Sequence, residues 1–570
     1  MSVQPLRPVR RRALPTGSPQ TVFPELEPIL AQLYLSRGVR SPGELDYGLQ
    51  QLAPVGALPG IGAAVALLLR HRQQRIIVVG DFDADGATST ALVMRCLRDF
   101  GFADVGYLVP NRFEYGYGLT PQIVRVAAER QPALIVTVDN GVSSIDGVRE
   151  ASQHGIEVLV TDHHLPGPEL PAAAAMINPN LPGSEFPSPN LAGVGVAFYL
   201  MAALGRRLEQ DGMAGAARIP AKYLDLVALG TVADVVRLDH NNRVLVTQGL
   251  ARIRRDRSVA GIRALMQQAG KSLPGAVSTD LGFALGPRLN AAGRLTDMSL
   301  GIECLLTDDA GQAVQFAAAL DEINKERRSI EDGMQKTAFA FVEAMSAGKL
   351  PACVCVFDPH WHQGIVGLIA ARVKERWHRP VIAFAREQDG QLKGSARSVP
   401  GVHIRDLLEA VSTARPGLIG KFGGHAMAAG LSMREQDFAD FRAEAGLQLE
   451  RLYPAADFSG AILTDGGLPA NSLNLRFARL LRDAGPWGAG FPEPVFEGNF
   501  RIVDQRTVGE KHLKLRVQAC DEDGTVEAIA FNQAGPVYRG EVRLTYRLDV
   551  NEYRGIESAQ LIVEQIASLT

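Results

Sequence analysis

The chain alternates short runs of β-branched and apolar residues with longer stretches whose apolar positions recur at helical spacing. Apolar runs at 76–79, 105–109, 134–138 and 157–161 read as buried strands, and the segments 88–100, 121–130 and 144–153 between them read as helices. Repeated strand–helix units predict a parallel, doubly wound sheet. A helical stretch Val194–Leu208 follows, then KYLDLVALGTVADVV, whose small residues suit a helix-packing seam. Residues 308–347 are rich in Ala, Glu, Lys and Arg and contain no proline, which predicts one long helix acting as a semi-rigid strut. A second, smaller α/β unit begins at Ala352 with the strand CVCVF. It continues through a helix Gly364–Trp377 and the strand PVIAFA, and ends near Gly430. The tail then changes period: FRIVDQRTV, HLKLRVQAC, VEAIAFN, VRLTYRLDV and AQLIVEQI alternate like strands of a small barrel of the OB type.

These patterns divide the chain into a lead-in (1–50), an α/β domain (51–307), the long helix (308–347), a second α/β domain (348–454) and the barrel (455–570). The lead-in is expected to be irregular, with short helices. Its basic cluster Arg7, Arg10, Arg11 and Arg12 is expected to be a floppy tail, with a DNA-holding role as the less favoured alternative.

At 570 residues the chain exceeds what one core supports. Its 46% hydrophobic and 21% charged content is that of a globular protein, and a net charge of −3 means that any basic groove must be local. Five cysteines, scattered apart from Cys353 and Cys355 in one apolar run, give neither a disulfide framework nor a four-ligand zinc site, and fit a reducing cytoplasm. No signal-peptide core follows the arginines and no long uncharged span occurs, so a membrane is not an expected partner.

The chemistry gathers at strand ends. RIIVVGDFDADGATST places Asp81, Asp83 and Asp85 at the carboxyl edge of the first strand, LIVTVDNG places Asp139, and EVLVTDHH places Asp162, His163 and His164. Open α/β sheets bind their ligands at that edge. Crowded carboxylates resist ionisation unless a cation joins them. The acidic turn also echoes a calcium loop, but Leu92 stands where such a loop needs glutamate. An Asp-x-Asp alone would read as a solvated turn. Acids and imidazoles converging from three strands instead suit hard divalent cations with one nitrogen ligand, such as Mn2+ or Mg2+.

GDFDADG, TVDNG and TDHH, in this order, resemble the DHH phosphoesterase superfamily. Within it the chain resembles the RecJ exonucleases from about Pro54 onward, through VPNRFEYGYGL, LGTVADVV and GPRLNAAGRL. Beyond the strut, WHQGIVGLIAARV, KGSARS and KFGGHAMAAGL resemble the DHH-associated domain. The resemblance implies a 5′→3′ exonuclease specific for single-stranded DNA, acting in repair and recombination. It would release 5′-mononucleotides by hydrolysis supported by two divalent cations, Mn2+ or Mg2+, held about 3.5–4 Å apart.

Carried over by residue, the resemblance makes Asp83, Asp85, Asp139, His163 and Asp234 metal ligands, with Asp139 bridging. Asp81 and Asp162 either ligate or orient a ligand from behind, and His164 faces the scissile phosphate. Arg112, Arg288, Asn290 and Arg294 suit backbone phosphates, while Tyr115 and Tyr117 either stack bases or pack the lip of the sheet. Ser395, Arg397, Gly424 and His425 would hold a terminal phosphate, whereas His360 and His362 line a cleft or cap the next helix. Implied partners are single-stranded DNA, a RecQ-type helicase and a single-strand-binding protein, with the enzyme itself a monomer. Two other readings compete: a phosphodiesterase for short RNA or cyclic dinucleotides, and a DNA-binding scaffold without catalysis.

Overall fold

The structure is a computed structural model that describes residues 6–14, 17–111, 115–345, 350–387, 390–520 and 524–569. Five parallel strands form the first sheet: β1 (Arg75–Val79), β2 (Asp104–Leu108), β3 (Leu134–Val138), β4 (Glu157–Thr161) and β5 (Ala175–Ile177). Their spatial order is β2-β1-β3-β4-β5. The chain therefore leaves β1 in one direction and returns beyond it in the other. The crevice between the carboxyl ends of β1 and β3 is the switch point where such sheets hold ligands. Ile76 to Val79 and all of β3 are buried, as expected for strands covered on both faces. The short β5 is not among the strands expected from the sequence. Its three residues are too few to show a period.

The helix after β1 begins at Ala84, four residues earlier than its apolar pattern suggests. Asp83 is the reason: its carboxylate accepts the backbone N–H groups of Asp85 and Gly86 and so caps the helix. What reads as an acidic turn is a helix start.

By compactness the chain falls into two units. One gathers residues 11–321 and 463–570, so the C-terminal segment groups with the first sheet's domain. It contains a closed barrel of β11 (Phe496–Val508), β12 (His512–Ala519), β13 (Thr525–Ala530), β14 (Glu541–Tyr553) and β15 (Ile556–Ser568), ordered β11-β12-β13-β15-β14. The β13–β15 pairing is parallel and the others antiparallel, which closes the expected Greek-key barrel. Its core is continuous with that of the α/β domain.

The lead-in supplies much of that continuity. Helix Pro28–Ser36 buries Leu30, Leu33, Tyr34 and Leu35. Tyr34 stacks on Trp487 and Phe491, and its hydroxyl donates to the Ala484 carbonyl at 2.8 Å. Arg37 makes a two-pronged bond to buried Asp465 at 3.0 and 2.9 Å. The basic cluster is not a floppy tail either. Arg10 pairs with Asp457 at 2.8 Å, and the Arg12 backbone N–H donates to the Thr464 carbonyl at 2.7 Å.

The other unit holds residues 7–10 and 322–462, so the Arg10–Asp457 pair lies within it. Its mixed sheet contains β6 (Val354–Phe357), β7 (Val381–Arg386), β8 (Gln391–Arg397), β9 (Lys421–Gly424) and β10 (Ala428–Arg434), in the order β9-β10-β8-β7-β6. Only β6 and β7 run parallel. Cys353 and Cys355 are free and buried at the start of β6, as a strand reading requires. The strut is a single helix, Ala310–Met345. Among the described residues no single helix is long and apolar enough to cross a membrane.

Candidate metal centre

The carboxyl ends of β1, β3 and β4 bring together the acids expected from the sequence. Ligand atoms of Asp81, Asp83 and Asp139 lie within 4.8 Å of one another, as do those of Asp85, His163 and Asp234, and of Asp139, His163 and His164. Asp139 thus belongs to two of the three groups. His163 Nε2 stands 3.1 Å from Asp139 Oδ1 and 3.5 Å from Asp234 Oδ2. Yet Asp139 Oδ1 and His163 Nε2, both buried, make no hydrogen bond. Buried polar atoms without partners are costly, and such a pair marks a place meant for something else.

The electrostatics agree. Burial first, then the charges of Asp85, Asp83, Asp234 and Asp81, push the Asp139 carboxyl well above the usual carboxylate range. Asp85 is raised well above it by burial and by Asp234 and Asp83, and Asp234 is raised by burial and Asp83. Burial lowers the affinity of His163 for a proton, which suits a neutral nitrogen ligand. A set of acids that cannot all ionise alone, with one neutral imidazole, is the donor set of a site for hard divalent cations.

Rigid backbone holds these groups. Asp85 accepts the N–H groups of Gly193 and Val194, at the start of helix Gly193–Gln210, at 2.7 and 2.9 Å. Gly193 leaves no room for a side chain, since a Cβ there would lie 2.6 Å from Asp139 Cβ. Asp139 itself sits at φ +61°, and Val235, directly after Asp234, at φ +63°. Asparagine and aspartate tolerate that region, but a β-branched residue there is an outlier. Strained backbone of this kind collects at functional sites.

Asp162 has a different task. Its Oδ1 accepts the N–H groups of His163 and His164 and the His164 Nδ1, and its Oδ2 accepts the Val142 N–H. Burial alone would raise its pKa. The His164 hydrogen bond and the nearby imidazoles outweigh that and hold it below the usual range. Asp162 therefore orients His164 rather than offering a free oxygen. For His164 burial works against protonation, but the Asp162 contact and the charges of Asp234 and Asp81 raise it to about 9. These contacts favour the imidazolium, and Tyr117 lies edge-on to the ring.

Two of the expected phosphate groups, Arg288 and Asn290, make supporting contacts within the protein. Arg288 is a correction: its guanidinium is held by Asp321 at 2.9 and 2.8 Å and by the Ala284 carbonyl, and it is not available to a phosphate. The Asn290 Oδ1 accepts the Ala84 N–H at 2.7 Å, fixing the loop that carries Asp83 and Asp85. Arg294 is half-buried in the last turn of the same helix, Gly286–Leu295. Tyr115 is half-buried and packs against the apolar cluster beneath the sheet edge. Tyr117 is 50% exposed, and its hydroxyl donates to the Asp139 carbonyl at 3.3 Å. Arg112 lies outside the described residues.

Three asparagines escape a reading of the sequence alone. Asn140 bonds the carbonyls of Val79 and Val138, tying the ends of β1 and β3, while Asn178 and Asn180 bond the carbonyls of His164 and His163. The INPN string after β5 is the signal that marks the last two.

In the second unit, Ser395 and Arg397 point to the first turn of helix Val366–Trp377. A Cβ on Gly367 would stand 3.1 Å from Arg397 Nη2 and 3.3 Å from Ser395 Oγ. Gly424 and His425 form the neighbouring hairpin, joined by the His425 N–H donating to Ala428, which pairs with Arg397 across the sheet. Arg397 has no carboxylate partner among the described residues, and burial lowers its pKa. A hydroxyl, a guanidinium and a helix start facing one spot favour an anion. His362 accepts the Gly364 N–H just before that helix, and His360 donates its backbone N–H to Asp358.

Comparison with known proteins places this arrangement. Residues 75–231 match the DHH family N-terminal domain, 349–450 the DHHA1 domain and 464–565 the RecJ OB domain. The chain is 51% identical to the single-stranded-DNA-specific exonuclease RecJ of Dickeya dadantii, over 98% of each chain. The chain belongs to the RecJ family. RecJ of Escherichia coli is also 51% identical, over 95% of this chain and 96% of that one. A crystal structure of RecJ from Thermus thermophilus in complex with Mn2+ superposes with a TM-score of 0.82 at 30% identity, covering 99% of this chain and 80% of that one. A Mg2+ complex from the same organism is similar, with a TM-score of 0.76.

Proposed function

We propose that the protein is a 5′→3′ exonuclease that hydrolyses single-stranded DNA to 5′-mononucleotides. The observation that carries this is the buried Asp139–His163 pair, unbonded and ringed by acids, in a chain of RecJ family fold. Asp81, Asp83 and Asp139 would hold one divalent cation, and Asp85, His163 and Asp234 the other, with Asp139 shared. When bound, Mn2+ or Mg2+ in such a pair lowers the pKa of a shared water and neutralises charge on the phosphate under attack.

The protein's own groups do the rest. Asp85 is locked by two amides, so its position does not shift as charge develops. Asp162 fixes the orientation of the His164 ring through Nδ1, and the imidazolium that this contact favours would donate Nε2–H to a phosphoryl oxygen or to the leaving 3′ oxygen. Ser395, Arg397 and the Gly424–His425 hairpin would take the 5′ phosphate, and holding a chain end is what makes cleavage exonucleolytic. A RecQ-type helicase or a single-strand-binding protein would present such strands.

The test is a 5′-labelled single strand with Mn2+. Release of labelled mononucleotide is expected. Cleavage confined to strands of a few nucleotides would favour an oligonucleotide phosphodiesterase, and binding without turnover would favour a scaffold.

A further inference from the structure

The turn preceding GPRLNAAGRL is not α-helical. Leu281–Leu285 is a π-helical turn, a geometry that occurs mostly in single turns and often at functional sites. Phe283, at its centre, is 78% exposed, the highest value among the large apolar side chains of the described residues. The turn is seated against the end of helix Leu224–Ala233. A Cβ on Gly282 would stand 3.2 Å from Val232 Cγ1, and one on Gly286 3.2 Å from Ala233 Cβ. That helix ends in Asp234, and the next residue, Val235, is 69% exposed at φ +63°.

Two costly backbone departures, on two elements packed together, therefore each leave an apolar side chain in solvent. One of them adjoins a metal-centre carboxylate. Packing does not explain Phe283, because its ring is not in the core. A protein surface would not hold a strained β-branched residue and a π turn side by side without return. The turn is packed on the helix that ends at Asp234, one of the candidate metal ligands. What lies within one nucleotide of a phosphate in a single strand is an unpaired base, whose faces stack on aromatic rings regardless of sequence.

We propose that Phe283 is a stacking platform for an unpaired base of the strand whose phosphate lies at Asp234, and so a residue that selects single strands. A paired base inside a duplex has no free face to offer it. The inference rests on the reading of the metal centre as a single-strand hydrolase.

The test uses the full chain, as wild type, Phe283→Ala and Phe283→Trp, on 5′-phosphorylated strands with one abasic site moved through the nucleotides nearest the cleaved end. kcat/KM is measured at fixed salt. At one position the wild type should lose roughly 5- to 150-fold, the range of one base–aromatic stack. Phe283→Ala should show that loss already on the intact strand and lose nothing more at the abasic one, while Phe283→Trp keeps the wild-type pattern. Calorimetric Mn2+ binding and the melting temperature should be the same in all three, since the ring is outside the core. Equal abasic penalties in wild type and Phe283→Ala would overturn the proposal. So would an active wild type indifferent to every abasic position, which would leave the ring to a protein partner. A wild type that released no mononucleotide would instead overturn the reading of the metal centre.

Discussion

Asp139 and Asp465 are both buried, 2% and 7% exposed, and they are treated in opposite ways. Asp465 accepts two bonds from Arg37 and one from the Val495 N–H, so its charge is spread over fixed donors. Asp139 faces four other acids, keeps Oδ1 without a hydrogen bond, and sits on left-handed backbone. One acid is there to join the lead-in to the C-terminal segment. The other is stored in an unfavourable state that only a ligand relieves. A buried acid is thus informative about function through what it lacks, and burial by itself says little.

The contrast can be broken at either end. Asp139→Asn keeps the shape and tolerates the positive φ, but removes the shared charge. Its turnover on a saturating single strand in excess Mn2+ should fall at least about a thousandfold, equivalent to about 4 kcal/mol of barrier. Its melting temperature in chelator should not fall, because a repulsive charge has gone. A variant keeping a tenth of wild-type turnover would show that Asp139 is not the shared ligand.

Asp465→Ala should do the reverse. Arg37, whose side chain has no exposed area, would keep its bonds to the Pro492 and Leu33 carbonyls but be left buried without a counter-charge, at a cost of about 3–5 kcal/mol in denaturant unfolding. Turnover per folded molecule should stay near wild type. If stability is unchanged, water reaches the pair and the contrast with Asp139 is weaker than the geometry indicates.

Cation binding sharpens the same comparison. Mn2+ at about a hundred times its dissociation constant should stabilise the wild type by about 2.7 kcal/mol. Asp465→Ala should gain a similar amount and Asp139→Asn much less, as read by melting with and without the metal.

The smallest effect concerns a cation short of acids. Arg397→Ala should lose most of the preference for 5′-phosphorylated over 5′-hydroxyl strands, a change of about 1.5–3 kcal/mol or one to two decades in affinity. Paired substrates at fixed salt provide the measure. A full wild-type preference in the variant would move the terminal-phosphate pocket elsewhere.

The strands and their acids were legible because a β-branched run closed by aspartate is a local signal, carried whole in RIIVVGD and LIVTVD. The barrel's alternation was local in the same way. The misread residues were those whose partners lie far along the chain. GPRLNAAGR looks like a phosphate grip, but nothing nearby shows that Arg288 meets Asp321 or that Asn290 meets Ala84, 206 positions away. The lead-in looked irregular because its helix buries against residues more than four hundred positions later. Val235 reads as one more apolar residue, since a sequence does not print φ.

That last separation has a consequence during synthesis. Tyr34 and its acceptor at Ala484 are 450 residues apart. At elongation rates of about 5–20 residues per second, the helix Pro28–Ser36 emerges about 20–90 seconds before its partner exists. For that interval Leu30, Leu33, Tyr34 and Leu35 are an apolar face without a home on a nascent chain. The joint between the lead-in and the C-terminal segment therefore cannot close until most of the chain has been made, and until then the N-terminal helix remains an uncovered apolar segment.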